Sequence, residues 1–342
     1  MPTEILPWHA AAWQELQGLR LRLPHAILFH GNAGIGKTVF AEAFAAALLC
    51  EDPRPDGHAC TTCLSCGWFA QYSHPDYRRV RPEVFDDDDS AEDDDGETKK
   101  SAKATKAPSK EIRIEQVRAL GNFMNLSTHR HGKRVVLLYP AEALNNASAN
   151  ALLKTLEEPP PETVFLLVSN SLDRLLPTIL SRCRKFALPM PGKPEALQWL
   201  NAHHIKDAES WLAEQGGAPL SALALAQTNS RELQDELLAL LARPSIDAAL
   251  KTAERLQKTA VVDVVQCLQR WLHDLCSFKL SGNIRYYPQY RSALAALAAT
   301  VSVDAMLAAI DQLQQRRAIA EHPLSQKLFI EDMLLVYSRL YS

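Results

Sequence analysis

A glycine-rich loop between an apolar run and a helical segment places the strongest constraint on the fold of this 342-residue chain. The apolar run HAILFHG (25–31) ends in glycine, and KTVFAEAFAAALLC (37–50) repeats apolar residues at helical spacing. The residues between them fit the pattern G-x-x-x-x-G-K-[ST]. The sequence therefore predicts a strand, a phosphate-binding loop and a helix, in that order.

Each part of this loop has a physical role in holding nucleotide phosphates. Glycines let backbone amides converge on phosphate oxygens, and the helix N-terminus adds partial positive charge. Lys37 is expected to reach the β and γ phosphates, and Thr38 offers a hydroxyl to magnesium. A simple strand-to-helix turn would not need lysine and threonine in that order. The predicted phosphate-binding residues are Gly31, Asn32, Ala33, Gly34, Ile35, Gly36, Lys37 and Thr38.

The acid that normally accompanies such a loop is missing. In ATPases with this loop, an aspartate at the end of a later strand holds the magnesium ion. In the later run RVVLLYPAEAL (134–144), Tyr139 and Pro140 stand where that acid is expected. A tyrosine hydroxyl, with a pKa of about 10, does not ligate magnesium at neutral pH. Glu142 lies further on, past the proline, and is not expected to replace the acid. The sequence thus predicts nucleotide binding with slow turnover or none.

Further apolar runs extend the strand–helix pattern and set the fold class. Strands alternating with helices predict a parallel α/β sheet covered on both faces, with the ATP site at the carboxyl ends of the strands. After ALPMPGKP (187–194), no further strand is predicted, so the rest of the chain is expected to be helical. The expected further strands are YRRVRP (77–82), RVVLLY (134–139), TVFLLVS (163–169) and KFALP (185–189).

Four of the seven cysteines follow the spacing C-x9-C-x2-C-x2-C: Cys50, Cys60, Cys63 and Cys66. Disulfides are not expected in a cytosolic chain, and four thiolates at this spacing suit a closed tetrahedral zinc site. An iron–sulfur cluster is the chemical alternative, but the ferredoxin-type run of cysteines is absent. His58 is a possible substitute ligand. With no open coordination position, the zinc ion is expected to be structural.

The segment 83–110 is low in apolar residues, and ten of the forty acidic residues lie between Glu83 and Glu97. Such a segment buries too little apolar surface to offset the cost of ordering it, so a disordered surface insertion is predicted. No run reaches the roughly 18 apolar residues of a membrane span, and the N-terminus does not read as a signal peptide. A cytoplasmic protein without a membrane partner is expected.

Several stretches together resemble the AAA+ clamp-loader subunits of bacterial DNA polymerase III. They are the phosphate-binding loop, the four-cysteine module followed by HPDYRRV (74–80), NALLKTLEEPP (150–160) and LPTILSRC (176–183). The resemblance covers roughly the first 190 residues. It implies an AAA+ core over 1–188 with a zinc module at 50–66, a helical lid over 189–235 and an all-α C-terminal collar domain over 236–342.

Within that family, the motor subunits hydrolyse ATP and the delta-prime subunits do not. The motor type has Asp-Glu where this chain has Tyr139 and Pro140, and it has a lid arginine that GGAPLSALAL (216–225) lacks. The delta-prime type is therefore the closer match. The intact loop departs from some delta-prime subunits, which have lost it, so ATP binding without hydrolysis remains an open expectation.

The resemblance also implies a role for Arg182 and a set of partners. In the family, the Ser-Arg-Cys motif projects its arginine into the ATP site of the next subunit, as a finger acting in trans. From the residues alone, an arginine that binds helix-end carbonyls or a surface acid is the better interpretation of Arg182, and it is the motif context that favours the finger. The implied partners are the motor and delta subunits, the sliding clamp and, through the complex, primer-template DNA.

The expected function is that of a non-hydrolysing subunit that completes the loader ring and helps load the clamp as part of the polymerase holoenzyme. One alternative is an active motor ATPase in which another acid replaces the missing one. A second alternative is a zinc-bearing AAA+ regulator that acts outside replication.

Overall fold

Five parallel strands form the sheet of the first of the two units into which the chain divides, Met1–Pro191 and Gly192–Ser342. The computed structural model describes residues 4–85, 108–125, 128–129, 132–228, 231–317 and 325–341. The strands are β1 (Ala26–His30), β2 (Tyr77–Val80), β3 (Arg134–Leu138), β4 (Thr163–Ser169) and β5 (Arg184–Ala187). These match the predicted strands to within two residues, and their order across the sheet is β2-β3-β4-β1-β5.

The register of this sheet places the carboxyl ends of β1, β3 and β4 side by side, so the segments that follow these strands lie near one another. Ala26 to His30 pair with 165–169 of β4, and Arg134 to Leu138 pair with 163–167. Because all the strands are parallel, the residues that follow His30, Leu138 and Ser169 lie at the same end of the sheet, the carboxyl end of its strands. The loop after β1 therefore lies at the carboxyl ends of the strands, where the ATP site is predicted.

The helices of the first unit cover both faces of the sheet. Alternate side chains of a strand point to opposite faces, so Ile27 and Phe29 pack on one side and Ala26 and Leu28 on the other. The first side holds α1 (Ala10–Gly18), α2 (Lys37–Leu49) and α3 (Leu64–Ala70). The second side holds α4 (Ile114–Asn125), α5 (Asn146–Glu157) and α6 (Pro177–Leu180). Burial on both faces explains why the strands read as nearly continuous apolar runs.

Every secondary-structure element described in the second unit is a helix, as predicted. Its first helices are α7 (Lys193–Ala202), α8 (Ala208–Glu214) and α9 (Pro219–Ala226). They share a small apolar core that includes Leu200 and Trp211. A larger core joins the remaining helices, which are α10 (Arg231–Ala242), α11 (Ile246–Arg255), α12 (Val261–Ser281), α13 (Arg291–Thr300), α14 (Val303–Arg317) and α15 (Gln326–Ser338).

A buried carboxylate links these two cores inside the second unit. Glu214 at the end of α8 accepts hydrogen bonds from Arg231 Nη1 at 3.0 Å and from Gln234 Nε2 at 2.8 Å, both on α10. Burial raises the pKa of Glu214, and the charge of Arg231 opposes that shift. The predicted boundary between 235 and 236 falls inside α10, because this helix carries both the polar contacts to α8 and the leucines of the larger core.

The predicted disordered segment, 83–110, lies mainly at 86–107, outside the described residues. Its described ends are ordered rather than disordered. Residues Glu83–Phe85 form a 3-10 helix, and Val84 N donates to Ser109 O at 3.2 Å. Glu83 Oε2 accepts from Ser109 N at 3.1 Å, and Glu83 also pairs with Arg113 at 2.9 Å. These polar contacts hold the two ends of the segment together.

Within the described residues, no single helix is long and apolar enough to cross a membrane. One bent pair, Pro288–Thr300 with Val303–Arg316, passes the same test of length and composition when its two helices are taken together.

A buried hydroxyl in the larger helical core gives a prediction about stability. Tyr337 OH accepts from Trp271 Nε1 at 2.8 Å and donates to Leu241 O at 2.7 Å. Tyr337→Phe would leave a buried N–H and a buried carbonyl without partners. We expect it to lower the free energy of unfolding by about 1–3 kcal/mol, measured by urea denaturation. Tyr286→Phe, whose hydroxyl is not part of the Trp271–Tyr337–Leu241 series, is the control, and equal stability losses in the two variants would contradict the prediction.

Candidate nucleotide and metal sites

The loop after β1 has the backbone conformation that its glycines predict. Gly34 has a φ of 74° and Gly36, which precedes α2, has a φ of 92°. Side chains with a Cβ are strained in this left-handed region. Gly31 is restricted by space as well, because a Cβ there would lie 2.6 Å from the carbonyl oxygen of Leu188. Both the backbone conformation and the close approach of Leu188, directly after β5, thus require glycine in this loop.

Lys37 is buried at the start of α2, with 4% of the residue exposed. Its Nζ donates to the carbonyl oxygen of Asn32 at 2.5 Å and to Asn170 Oδ1 at 2.6 Å. Burial lowers the pKa of Lys37 to about 8, and the charge of Glu142 acts in the opposite direction. The ammonium group is therefore held by neutral oxygens at the place where the sequence predicts a phosphate contact.

Asn170 and Glu142 are also part of this site, although the sequence predicted a role for neither of them. Asn170 follows β4, and its backbone N and its Nδ2 both donate to Glu142 Oε1 at 3.0 Å. Since β4 lies between β1 and β3, the residues after these three strands meet at one edge. A polar residue directly after an apolar strand was the available signal for Asn170, but its link to Lys37 depends on the order of the strands.

Tyr139 directly follows β3. It therefore occupies the strand-end position, next to the site, where an acid is expected from the sequence. Its hydroxyl accepts from Arg81 Nη1 at 3.5 Å. Pro140 follows and has neither a carboxylate nor a backbone N–H to offer a ligand. Glu142 lies in the 3-10 helix Ala141–Ala143 and is turned to Asn170. No carboxylate is therefore placed directly at the end of β3.

The N-terminal segment also contacts the loop, which the sequence did not indicate. Trp8 Nε1 donates to the carbonyl oxygen of Ile35 at 2.9 Å. His9 is fully buried, and its ring meets that of Phe40 edge-on with centroids 5.2 Å apart. Burial, followed by the nearby charge of Lys37, lowers the pKa of His9 to about 4. The imidazole is therefore neutral at physiological pH.

Arg182, the predicted finger, follows α6 and forms an ion pair with Glu157 at the end of α5. Its Nη1 donates to Thr178 O at 2.9 Å and to Ser181 Oγ at 3.3 Å. The Arg182 side chain is 32% exposed and that of Glu157 is 48% exposed. Its described polar partners lie in or next to α5 and α6, so these contacts do not connect it to the loop of its own chain.

The four predicted zinc ligands lie together, from Cys50 at the end of α2 to Cys66 in the first turn of α3. Cys50 and Cys63 have their Sγ atoms 3.9 Å apart, and so do Cys60 and Cys66. All four Sγ atoms lie within 4.8 Å of one another. A tetrahedral zinc ion with Zn–S bonds of about 2.3 Å separates its sulfur ligands by about 3.8 Å. The donor set and its spacing therefore fit zinc. His58 stacks on Trp13 at 4.2 Å instead of joining the cluster.

Backbone N–H groups surround the sulfur atoms of this cluster. Cys50 Sγ accepts from Cys60 N at 3.2 Å, and Cys63 Sγ accepts from Cys66 N at 3.4 Å. Hydrogen bonds from Thr62 and from the backbone of Cys63 lower the pKa of Cys60 to about 6. These donors favour the thiolate of Cys60, the form of cysteine that binds metal, whereas burial raises the pKa of Cys50 and of Cys66.

Comparison with known proteins shows similarity to DNA polymerase III subunits. Residues 11–191 match the family model described as "DNA polymerase III, delta subunit". The DNA polymerase III subunit delta' of Pseudomonas aeruginosa is 42% identical over 240 residues, 69% of this chain and 65% of that one. The delta' subunit of Yersinia pestis is 32% identical over 274 residues, 73% of each chain. The match thus spans slightly less than two thirds of the Pseudomonas protein.

A similar solved structure is that of a DNA polymerase III gamma subunit-related protein from Thermotoga maritima. It is 16% identical, covers 96% of this chain and 99% of that chain, and has a TM-score of 0.45.

The cysteine cluster gives a prediction about metal content. We expect the purified chain to hold one zinc ion per molecule, measured by atomic emission, and Cys63→Ser to lose it together with stability. Structural zinc contributes directly to folding free energy, so a chelator should lower the melting temperature of the native protein. Cys183→Ser is the control, because Cys183 is buried elsewhere in the unit. Full zinc content in Cys63→Ser would contradict this assignment.

The lowered pKa of Lys37 predicts a proton uptake when phosphate binds. Near a phosphate the ammonium form is favoured, so the pKa of Lys37 should rise from about 8. At pH 8.5 we expect uptake of about 0.7 proton per bound ATP, falling to nearly none at pH 6.5. Calorimetry in buffers of different ionisation enthalpy measures this number. Lys37→Ala should abolish binding, and ATP binding without proton uptake at pH 8.5 would contradict the prediction.

Proposed function

The chain belongs to the family of DNA polymerase III delta-prime subunits, and we propose that it completes a clamp-loader ring without hydrolysing ATP itself. In this proposal it joins motor and delta subunits in the cytoplasm, binds the sliding clamp, and acts on primer-template DNA as part of the complex. Its own contribution to ATP hydrolysis is an arginine that serves the neighbouring subunit.

The end of β3 is the observation on which the absence of hydrolysis rests. Tyr139 and Pro140 follow this strand, and neither can hold magnesium. Loss of a positioned base alone costs about 10² to 10⁴ in rate, and loss of a metal-holding acid adds to that. Phosphoryl transfer depends almost entirely on such positioning and charge. The chain therefore lacks the carboxylate that would hold magnesium for hydrolysis, while it retains the phosphate-binding loop.

The loop itself supports nucleotide binding without turnover. Its glycines have the conformations that let amides face a phosphate, and Lys37 lies at the start of α2. The oxygens of Asn32 and Asn170 hold the ammonium group of Lys37. ATP would exchange at least one of these neutral acceptors for a charged phosphate oxygen, which makes the stronger hydrogen bond.

Arg182 is suited to act outside its own chain. Its partner Glu157 is about half exposed, and an exposed ion pair of this kind contributes only about 0–1 kcal/mol. A γ phosphate of a neighbouring subunit could replace this carboxylate at little cost, because the guanidinium fork fits phosphate oxygens as well. The Ser181–Cys183 segment lies between α6 and β5, so the backbone on either side is held by regular structure.

The second unit would supply the lid and the ring contacts. In this proposal the core of α7 to α9 is the lid, and the larger core from α10 to α15 is the collar domain that packs against other subunits. The three-domain division of 1–188, 189–235 and 236–342 is part of the proposal, with the second boundary moved toward the start of α10. The zinc module at 50–66 would stabilise the core as a structural element.

One observation favours an alternative, an active motor ATPase. Glu142 is close enough to Lys37 to affect its pKa, and Asn170 bridges the two side chains. If magnesium drew Glu142 away from Asn170, this carboxylate would replace the missing acid. The alternative requires Glu142→Gln to abolish steady ATP turnover by the isolated chain.

ATP turnover by the isolated chain and by the assembled loader separates these functions. We expect the pure chain to show no steady hydrolysis above the Lys37→Ala background. In a loader reconstituted with clamp and primed DNA, Arg182→Lys keeps the charge but loses the planar fork. We expect it to lower turnover at the site it serves by about tenfold or more, since such a finger is worth about 10³ to 10⁵ in rate.

Arg184→Lys is the matched control, because Arg184 is an exposed arginine two residues away on β5. It should hydrolyse ATP like the unmodified loader. Brisk hydrolysis by the isolated chain would overturn the proposed absence of activity. Normal turnover in both arginine variants would remove the finger role.

A further inference from the structure

A cavity of about 370 Å³ lies inside the second unit, between its smaller and its larger core. Leu225 of α9, which packs on the smaller core, forms one side of it. Leu237 of α10 and Val264 of α12, both buried in the larger core, form the other side. Cavities of about 300–1,000 Å³ with mainly apolar walls and a few polar groups are typical binding sites for small molecules.

Opposite charges lie on one face of α12 along this cavity. Asp263, Gln266, Cys267 and Arg270 all line it, at positions i, i+3, i+4 and i+7 of the helix. At a rise of about 1.5 Å per residue, the helix from Asp263 to Arg270 spans about 10 Å. Along α12 the wall thus presents an acid first, then Val264 and Cys267, and then a base.

Asp263 stands in the first turn of α12 with its side chain at the cavity. Within the described part of the chain, its carboxylate forms no hydrogen bond or ion pair. Partial burial raises its pKa, and the charge of Arg270 opposes that shift. A ligand with a cationic N–H group would supply the hydrogen-bond partner that this carboxylate lacks.

Arg270 is oriented by two contacts with neutral groups. Its Nη2 donates to Oε1 of Gln215, directly after α8, at 3.1 Å. Its Cζ atom lies 5.9 Å from the ring centroid of Tyr286. Because neither group is charged, a ligand carboxylate would make a stronger hydrogen bond with this guanidinium group than the Gln215 amide does.

The cavity adjoins the polar link between the two cores of the second unit. Gln234 lines the cavity and donates to Glu214 at 2.8 Å, and Gln215, which also lines it, follows Glu214 in the chain. A ligand that contacts α9 and α12 would add a second connection beside that of Glu214. Its binding would favour the arrangement in which both cores line the cavity.

We propose that this cavity binds a small zwitterionic compound, an apolar chain with a cationic group at one end for Asp263 and a carboxylate at the other for Arg270. Water in the liquid occupies about 30 Å³ per molecule, so the cavity has room for about a dozen non-hydrogen atoms. A compound with a single charge would leave one of the two protein charges without a partner. The inference goes beyond the proposed function, because it concerns a site within the second unit of the isolated chain.

The experiment uses the full chain with ω-aminooctanoate, whose extended length and number of non-hydrogen atoms match these dimensions. Methyl NMR spectra measure binding, and the signals of Leu237 and Val264 should shift. Octanoate lacks the cationic group, octylamine lacks the carboxylate, and γ-aminobutyrate is too short to reach both charges. We expect each of these three to bind about tenfold or more weakly, since each loses a charge-assisted hydrogen bond.

Two variants test the lining residues. Asp263→Asn keeps the shape of the side chain and removes its charge, so we expect it to weaken ω-aminooctanoate binding about tenfold or more and to leave octanoate binding unchanged. Asp247→Asn is the matched control, because Asp247 stands in the first turn of α11 and is not among the described residues that line the cavity. Ala224→Phe, whose larger side chain would fill the cavity from α9, should weaken binding of all the compounds.

Equal binding of ω-aminooctanoate by Asp263→Asn and Asp247→Asn would overturn the proposal. Equal affinities for ω-aminooctanoate, octanoate and octylamine would overturn it too, because the cavity would then select apolar chains and not charges. Absence of binding, or signal shifts confined to residues away from the cavity, would have the same consequence. ATP turnover by the loader does not enter this measurement, so failure here is distinguishable from failure of the proposed function.

Discussion

The parallel pairing of the five strands decides where chemistry occurs in the first unit. Because every strand runs in the same direction, the segments after β1, β3 and β4 all begin at the same end of the sheet. Lys37, Glu142 and Asn170 come from separate parts of the chain, yet hydrogen bonds connect them at that end. The phosphate loop, the altered strand end and the buried lysine are therefore parts of one site and not three independent features.

That site combines retained binding groups with a missing catalytic group. The loop keeps its left-handed glycines and its lysine, whereas β3 ends in Tyr139 and Pro140. Binding and hydrolysis make different physical demands, since amides and an ammonium group hold phosphate while a carboxylate must hold the metal. In the proposed function, a subunit that supplies Arg182 to a neighbour needs a rigid core but does not need ATP turnover of its own. Because its ion pair with Glu157 is exposed and weak, the Arg182 side chain could exchange this carboxylate for a phosphate of another subunit at little cost.

Tyr139, directly after β3, also contacts the region beside β2, an outer strand of the sheet. Tyr139 stands where an acid is expected, and its hydroxyl accepts from Arg81, which lines a cavity beside β2. An aspartate at this position would place a negative charge beside Arg81. Replacement of the acid by tyrosine thus removes a metal ligand from the site and places a hydroxyl, instead of a carboxylate, beside Arg81.

The sequence by itself determined the features that depend on local pattern. The loop spacing, the apolar strands, the four cysteines and the change from strands to helices near residue 190 all follow from neighbours along the chain. Only the tertiary structure decided the strand order, which brings Asn170 and Glu142 to Lys37 and places Arg81 beside Tyr139. It also decided the burial of Lys37 and His9 and the continuity of α10 across a predicted boundary. These features depend on contacts between distant residues, and a local pattern holds no information about which distant segments become neighbours.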